Sequence, residues 1–148
     1  NLGFALINKG NTSEAISQLK TAIKLKPDYA GAYNNLGAAL FAQGKTEEAI
    51  SHYRKAIQLN PDSAQVNCNL GVVLMQKGNN NEAILYYKKA IELKPDYAKA
   101  HNNLGAALMN KGNTSEAISQ FEKAIELKPD YANAQHNLKI VMSKIEKD

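Results

Sequence analysis

The sequence repeats itself every 34 residues, and this period limits what the chain can fold into. The prolines follow the period, and so do two series of glycines and the alanine pairs between them. The positions are Pro27, Pro61, Pro95 and Pro129; Gly3, Gly37, Gly71 and Gly105; Gly10, Gly44, Gly78 and Gly112; and Ala15/Ala22, Ala49/Ala56, Ala83/Ala90 and Ala117/Ala124. A fixed period of this length is typical of stacked repeats, in which each unit buries its apolar face against its neighbours.

One period predicts two helices. In the last complete unit, apolar residues at three- and four-residue steps predict a first helix, which Gly112 ends in the left-handed conformation. Asn113 and Glu116 have the spacing of a capping box at the start of a second helix, and the proline of the unit ends that helix. Asp96 is expected to cap the first helix through its carboxylate. The unit is therefore predicted to be two antiparallel helices joined by a tight turn.

Small residues predict a close crossing of the two helices. Gly105 on the first helix and Ala117 and Ala124 on the second remove bulk, and Phe121 fills the remaining space. The other units carry Leu19, Tyr53 and Tyr87 in the place of Phe121. The buried face of the second helix is predicted to comprise Ala117, Ile118, Phe121, Ala124, Ile125 and Leu127.

The period also sets the expected boundaries of a single repeat domain over residues 1–148. Residues 30–63, 64–97 and 98–131 are complete units, residues 1–29 are a truncated unit, and residues 132–148 are a C-terminal capping helix with a polar outer side. By position in the period, Asn1 falls at the sixth place of its unit, so about five residues of that unit are expected to be missing. Leu2 and Leu6 would then lack cover, which predicts end-to-end self-association as one alternative function.

These residues resemble the tetratricopeptide repeat, a helix-turn-helix family. Its pattern of Leu-Gly, Gly, Ala, aromatic, Ala and Pro is matched by Leu36-Gly37, Gly44, Ala49, Tyr53, Ala56 and Pro61, and again by Leu70-Gly71, Gly78, Ala83, Tyr87, Ala90 and Pro95. The resemblance implies an all-α, right-handed superhelical solenoid that acts as a non-catalytic protein–protein interaction scaffold. It also implies that the first helices line a concave groove for an extended peptide or partner segment.

The chain departs from the family pattern near the start of the first helix. A large aromatic residue survives there only as Tyr33, and the equivalent places hold Asn67, His101 and Gln135. We expect looser packing at these three places, with the polar groups near the surface.

An asparagine at the sixth position of every unit makes the expected groove distinctive. The series is Asn1, Asn35, Asn69, Asn103 and Asn137, and Asn34 and Asn102 stand beside two of its members. A primary amide offers a donor and an acceptor, as a peptide unit does, so a row of amides is suited to hold an extended backbone. Phe4, Ile7, Phe41, Val72, Met75 and Met109 form an apolar strip beside the row and are expected to select side chains.

This row resembles the asparagine ladder in the repeat superhelix of O-linked N-acetylglucosamine transferases, which makes a substrate-recruiting arm of a larger enzyme another alternative. The series is equally compatible with inheritance or with a purely structural use. Residues 1–29 and 103–131 are identical at 23 of 29 positions, so recent duplication would copy an asparagine without selection for binding. An amide is also suited to hydrogen bonding between neighbouring helices.

Chaperone-binding members of the family hold a C-terminal carboxylate with lysine, arginine and asparagine side chains on successive first helices. The lysine/asparagine places hold Asn34/Ala38, Cys68/Val72 and Asn102/Ala106, and the lysine/arginine places hold Gln65/Asn69 and Lys99/Asn103. Only Lys99 and the position-six asparagines fit. A carboxylate would lose most of its charge-assisted hydrogen bonds here. We therefore expect no carboxylate clamp of this kind.

Other features of the sequence argue against chemistry and against other classes of partner. The net charge is +4, but lysines and glutamates are interleaved, so nucleic-acid binding is not expected. Apolar runs are too short to span a membrane. Histidines 52, 101 and 136 lack ligand spacing, and no catalytic motif is present, so no metal, cofactor or enzymatic activity is expected. His52 should face outward, and Cys68 is expected to be partly exposed. A lone cysteine forms no internal disulfide and suits a reducing compartment, which favours the cytoplasm.

Overall fold

The computed structural model describes residues 12–145. In this range the chain forms eight α-helices and no strand. The helices are α1 (Thr12–Leu25), α2 (Ala30–Ala42), α3 (Thr46–Leu59), α4 (Ala64–Gln76), α5 (Asn80–Leu93), α6 (Ala98–Asn110), α7 (Thr114–Leu127) and α8 (Ala132–Ile145). The expectations for Asn1, Leu2, Phe4, Leu6 and Ile7 lie outside the described residues.

The chain divides into two compact units, residues 1–73 and residues 74–148, with the boundary inside α4. In the first unit, α1 packs against α2, and α2 packs against α3. In the second unit, α5 packs against α6, α6 against α7, and α7 against α8. Consecutive helices therefore pack on one another in each unit, as the period predicts.

The turn inside each repeat follows the predicted glycine conformation. Gly44, Gly78 and Gly112 have φ values of 76°, 86° and 80°, in the left-handed region that glycine adopts without strain. After Gly112, the N–H of Asn113 bonds back to the carbonyl of Leu108 at 3.0 Å. The N–H of Lys111 also donates to this carbonyl at 3.0 Å, so the last turn of α6 ends with a carbonyl that accepts two hydrogen bonds. The prediction of a glycine-terminated first helix is confirmed.

The side-chain caps predicted at the helix starts are wrong. Asn113 is the residue before α7, but its side chain makes no capping hydrogen bond. Glu116 instead lies 3.6 Å from the Nζ of Lys88 in an exposed ion pair. Tyr97, not Asp96, precedes α6, and again no side chain caps the helix. Lys88 lies on α5 and gives the carboxylate of Glu116 a positively charged partner, whereas the start of α7 would give it only a backbone N–H.

The close crossing of α6 and α7 is confirmed. Ala117, Phe121 and Ala124 have no exposed surface. A Cβ atom placed on Gly105 would lie 2.7 Å from Cε1 of Phe121, closer than side-chain carbons approach one another. The remaining residues predicted for the buried face of α7 are half-buried; they are Ile118, Ile125 and Leu127.

Two of the three polar residues expected near the surface are buried, so that part of the prediction is wrong. Asn67 is 2% exposed and His101 is 7% exposed, whereas Gln135 is exposed as expected. All three bind the carbonyl of the proline six residues earlier. Asn67 Nδ2 lies 3.5 Å from Pro61 O, His101 Nε2 lies 3.0 Å from Pro95 O, and Gln135 Nε2 lies 2.7 Å from Pro129 O.

Further hydrogen bonds make burial tolerable at these places. Asn67 Nδ2 also donates to the carbonyl of Ser63 at 2.9 Å, and Nδ1 of His101 lies 2.8 Å from Oε1 of Gln120 on α7. Burying a polar group is costly mainly when it loses its partners. Since these side chains gain partners inside the repeat, they replace the aromatic residue without coming to the surface.

Cys68 and His52 also lie deeper than expected. Cys68 is completely buried, which contradicts the expectation of partial exposure. His52 is half-buried rather than facing outward, and the centroid of its ring lies 5.9 Å from that of Tyr33. Burial lowers the pKa of His52, nearby Glu48 opposes this effect, and Lys20 adds to it. Burial also raises the pKa of Tyr53 beyond its usual range.

Within residues 12–145, no helix is both long enough and apolar enough to cross a bilayer.

Candidate functional site

In the first unit, the position-six asparagines are joined through a third asparagine. Asn35 lies on α2 and Asn69 lies on α4, and both are half-buried. Nδ2 of Asn69 donates to Oδ1 of Asn34 at 3.1 Å, and Nδ2 of Asn34 donates to Oδ1 of Asn35 at 3.2 Å. We call such a chain of three amides an amide relay. It connects α4 to α2 through side chains alone.

The second unit contains an amide relay of the same direction. Nδ2 of Asn137 on α8 donates to Oδ1 of Asn102 at 3.0 Å. Nδ2 of Asn102 then donates to Oδ1 of Asn103 at 3.3 Å, both on α6. Asn103 and Asn137 are half-buried, as Asn35 and Asn69 are. The arrangement therefore recurs in both units with the same donors and acceptors.

The structure separates the asparagines of the candidate site into two kinds. Asn34 is 8% exposed and Asn102 is 5% exposed, so their side chains offer little surface to a ligand. Asn35, Asn69, Asn103 and Asn137 keep part of their side chains accessible. The middle amides therefore lie beneath the position-six amides rather than beside them.

In the first unit, the amide relay uses only part of the hydrogen-bonding capacity of Asn35 and Asn69. A primary amide has two donor hydrogens and two acceptor lone pairs. Asn35 gives one lone pair of Oδ1 to the relay, and Asn69 gives one hydrogen of Nδ2. Inter-helix bonding and ligand binding are therefore compatible uses of the same residues.

The apolar residues predicted beside the asparagines are partly accessible in both units. Phe41 and Val72 are half-buried in the first unit, and Met75 and Met109 are half-buried in the second. The hydroxyl of Tyr87 lies 4.0 Å from the sulfur of Met75, a contact that holds this methionine toward α5. Phe121 stands in the equivalent place in the next repeat and has no hydroxyl to offer Met109.

A surface depression of about 480 Å³ lies away from these residues, at the turn between α4 and α5. Its lining is Gly78, Asn79, Asn80, Asn81, Glu82 and Lys111. Buried Oδ1 of Asn80 has no protein partner there. Ligand sites are usually mostly apolar, with a few placed polar groups. This depression is lined almost entirely by polar residues, so water suits it better than an organic ligand.

Sequence patterns alone did not reveal the role of the middle asparagines. Asn34 and Asn102 are adjacent to the position-six residues, and each binds a residue 35 positions later in the chain. Two adjacent asparagines in one repeat, followed one period later by an asparagine at position six, are the sequence signal of the relay. The same signal is interrupted in the third repeat, where Cys68 occupies the middle position.

Comparison with known protein families identifies the repeat. A sequence profile described as TPR repeat matches residues 3–44, 37–78 and 73–112, and a profile described as Tetratricopeptide repeat matches residues 98–131. The chain belongs to the tetratricopeptide repeat family. Its fold is accordingly an all-α helical repeat solenoid. Tetratricopeptide repeats are generally non-catalytic interaction modules, so the chain is of the protein-interaction scaffold class.

Solved tetratricopeptide structures are similar over most of the chain. A crystal structure of MamA protein is 34% identical with a TM-score of 0.78, and the match covers 88% of this chain and 72% of that one. YrrB, described as a TPR protein with an unusual peptide-binding site, is 26% identical with a TM-score of 0.79, covering 97% of this chain and 74% of that one.

The first TPR of Spaghetti (RPAP3), bound to the HSP90 peptide SRMEEVD, is also 26% identical. Its TM-score is 0.77, and the match covers 79% of this chain and 93% of that one. No curated protein matches the sequence.

Proposed function

We propose that the chain binds an extended peptide segment of a protein partner through the position-six asparagines. The observation that carries this proposal is the state of these residues. Their side chains are half-buried and thus partly accessible, and in the first unit the relay uses only part of the hydrogen-bonding capacity of Asn35 and Asn69. In the first unit the contact residues are Asn35 and Asn69, and in the second they are Asn103 and Asn137.

An extended backbone fits this spacing of amides. Neighbouring first helices are about 10 Å apart, because that is roughly the diameter of a helix with its side chains. An extended chain covers this distance in about three residues, at roughly 3.3 Å per residue. Successive amides would therefore meet peptide units about three residues apart, without reading the side chains of the peptide.

Selectivity would come from the apolar residues near the amides. Phe41 and Val72 in the first unit, and Met75 and Met109 in the second, present partly accessible apolar surface. Methionine adapts its shape cheaply, so the second unit would accept a wider range of side chains than the first. We therefore propose a partner segment with apolar side chains on one side and no required charge.

The comparisons support a peptide partner without defining it. YrrB is described as having a peptide-binding site, and the RPAP3 domain is bound to a peptide that ends in an aspartate carboxylate. In this chain, exposed Lys99 is alone in matching the charged places of a carboxylate clamp. The proposed ligand is therefore an internal extended segment rather than an acidic C-terminal tail.

The test is a selection of peptides from a random dodecapeptide display library on the purified chain. The variant Asn35→Ala/Asn69→Ala/Asn103→Ala should lose the selected peptides while keeping its circular dichroism spectrum. A matched control, Asn60→Ala/Asn113→Ala/Asn133→Ala, removes three asparagines that are exposed and lie outside the series. This control should bind as the unmodified chain does. Equal binding by both variants would refute the proposal.

A second candidate function, self-association, is favoured by one observation on α8. Met142 and Ile145 are 45% and 49% exposed and lie three residues apart, on one side of the helix. Sedimentation velocity over a range of concentrations would detect association, and Met142→Glu/Ile145→Glu should abolish it. Leu85→Ser, which removes an exposed leucine on α5, is the matched control and should leave it unchanged. A chain that stays monomeric at every concentration would exclude this candidate.

A further inference from the structure

The amide relays give the position-six residues opposite hydrogen-bonding directions. In the first unit, Asn35 receives a hydrogen bond on Oδ1, so its Nδ2 hydrogens remain for other partners. Asn69 gives one hydrogen of Nδ2 to the relay, so both lone pairs of its Oδ1 remain to accept from other partners. The same donors and acceptors recur in the second unit, where Asn103 has a further partner besides Asn102.

The middle residue is what sets these directions. Asn34 accepts on one side and donates on the other, so the amide on each side must turn a different end toward it. A residue that only accepted would turn Nδ2 of both neighbours inward. Since the middle side chain is almost completely buried, it acts on a ligand only through the two amides that it orients.

Folding alone does not require an amide in the middle position. Cys68 occupies the same place in the third repeat, where it is completely buried, and His136 occupies it on α8, where it is exposed. A buried amide without a full set of partners costs free energy, whereas a small apolar side chain does not. Both polar atoms of Asn34 are instead bonded to the two position-six amides, which points to a role in orienting them.

We propose that Asn34 is a positioning residue that makes the peptide site of the first unit polar in direction. It makes Asn35 a donor to a peptide carbonyl, and makes Asn69 an acceptor from a peptide N–H about three residues away. This inference rests on the proposed peptide binding and specifies the ligand further. The recognised group is the backbone of an extended segment, read as a carbonyl at Asn35 and as an N–H at Asn69.

Amide-to-ester substitution in the peptide tests this directly, since an ester lacks the N–H. The probe is the tightest peptide selected from the dodecapeptide library, synthesised with a single ester at each position in turn. On the unmodified chain, the ester at the residue opposite Asn69 should raise Kd about fivefold, the loss expected for one hydrogen bond. The ester that removes an N–H opposite Asn35 should change Kd by less than about twofold. The side chain of Asn35 donates to a peptide carbonyl, so it does not need a peptide N–H there.

Variants at the middle position distinguish orientation from a structural role. Asn34→Asp places an acceptor-only side chain in the relay, so Asn35 should turn Nδ2 inward and Oδ1 outward. A second ester-sensitive position should then appear opposite Asn35, about three residues from the first. Asn34→Ala removes the relay and should reduce the effect of the ester opposite Asn69 to about twofold or less, which keeps the test valid if the aspartate variant does not fold.

The outcomes separate this inference from the proposed function. One outcome would overturn the inference and leave peptide binding intact. In that outcome, the triple alanine variant loses the peptides, but the pattern of ester sensitivity is the same on both Asn34 variants as on the unmodified chain. A uniform loss of affinity with no change in the pattern of ester sensitivity would show that Asn34 is only structural. Failure to select any peptide on the unmodified chain would refute the proposed function itself.

Discussion

Replacing Gly105 by alanine should destabilise the second unit, although alanine is the better helix former. The added Cβ would lie 2.7 Å from Cε1 and 2.8 Å from Cδ1 of Phe121. Phe121 has no exposed surface, so its ring cannot swing out into solvent and α6 and α7 must move apart. Overpacking of this kind costs about 1–3 kcal/mol, whereas replacing glycine by alanine in a helix gains about 1 kcal/mol.

The expected net change for Gly105→Ala is therefore a loss of up to about 2 kcal/mol in the free energy of unfolding. Two other glycines provide a graded comparison. At Gly37 the Cβ would lie 3.1 Å from ring atoms of Tyr53, a smaller conflict, so the two effects should nearly cancel. At Gly31 the nearest atom, at 2.9 Å, belongs to the ring of exposed Tyr29, which is able to swing away. Gly31→Ala should therefore be neutral or stabilising by up to about 1 kcal/mol.

Urea unfolding followed by circular dichroism measures all three variants. The predicted order of stability is Gly31→Ala, then Gly37→Ala, then Gly105→Ala. The double variant Gly105→Ala/Phe121→Leu should lose less than the sum of its single variants, because leucine frees the space that the new methyl group occupies. A Gly105→Ala protein at least as stable as the unmodified chain would refute the packing argument.

Three further predictions concern pH, ligand class and thiol chemistry. Burial lowers the pKa of His52 below its ordinary value of 6.5, so the folded state holds this proton less tightly than the unfolded chain. The contribution of His52 to stability is thus complete above that pH and is lost as the pH falls below it; in His52→Gln, the melting temperature should fall less between about pH 7.5 and about pH 5.5 than in the unmodified chain. Fluorescence anisotropy with labelled SRMEEVD should detect no saturable binding, because only Lys99 matches a carboxylate clamp, and saturable binding would contradict the expected absence of a clamp. Cys68 is completely buried and should react with a thiol reagent only as fast as the fold opens, so rapid labelling in buffer without denaturant would contradict its placement.

Local and periodic features were predictable because single residues encode them. Gly112 adopts the left-handed conformation that its place at a helix end requires, and Gly105 meets Phe121 where the small residues indicated a crossing. These outcomes depend on a steric property of one residue or on the helical repeat. A sequence pattern records both.

Polar side chains were harder to predict because their partners lie elsewhere in the fold. Glu116 had the spacing of a capping residue, yet it pairs with Lys88 on another helix. Asn67 and His101 were expected near the surface, yet proline carbonyls six residues earlier satisfy them in the interior. A hydrogen-bonding side chain has several partners within reach, and only the packed structure decides among them.

The candidate site shows both cases in one place. The period identified Asn35, Asn69, Asn103 and Asn137 as a series, and their partial exposure is what lining a surface requires. It did not distinguish Asn34 and Asn102 from that series, since burial and hydrogen-bond direction are not periodic properties of the sequence. Peptide binding at these residues remains a proposal that the two substitution experiments test.

The spacing of the relay has a consequence for how such a gene grows. Asn34 binds Asn69 and Asn102 binds Asn137, and each pair is 35 residues apart in a chain whose period is 34. The bond thus joins the fifth position of one copy to the sixth position of the next. Unequal crossing-over that inserts another copy of residues 30–63 would recreate the bond at the new junction, because that copy carries asparagine at both places. A new copy of residues 64–97 would bring Cys68 to the middle position, so the new junction would have no asparagine there. Duplication of residues 30–63 therefore preserves the amide relay better than duplication of residues 64–97.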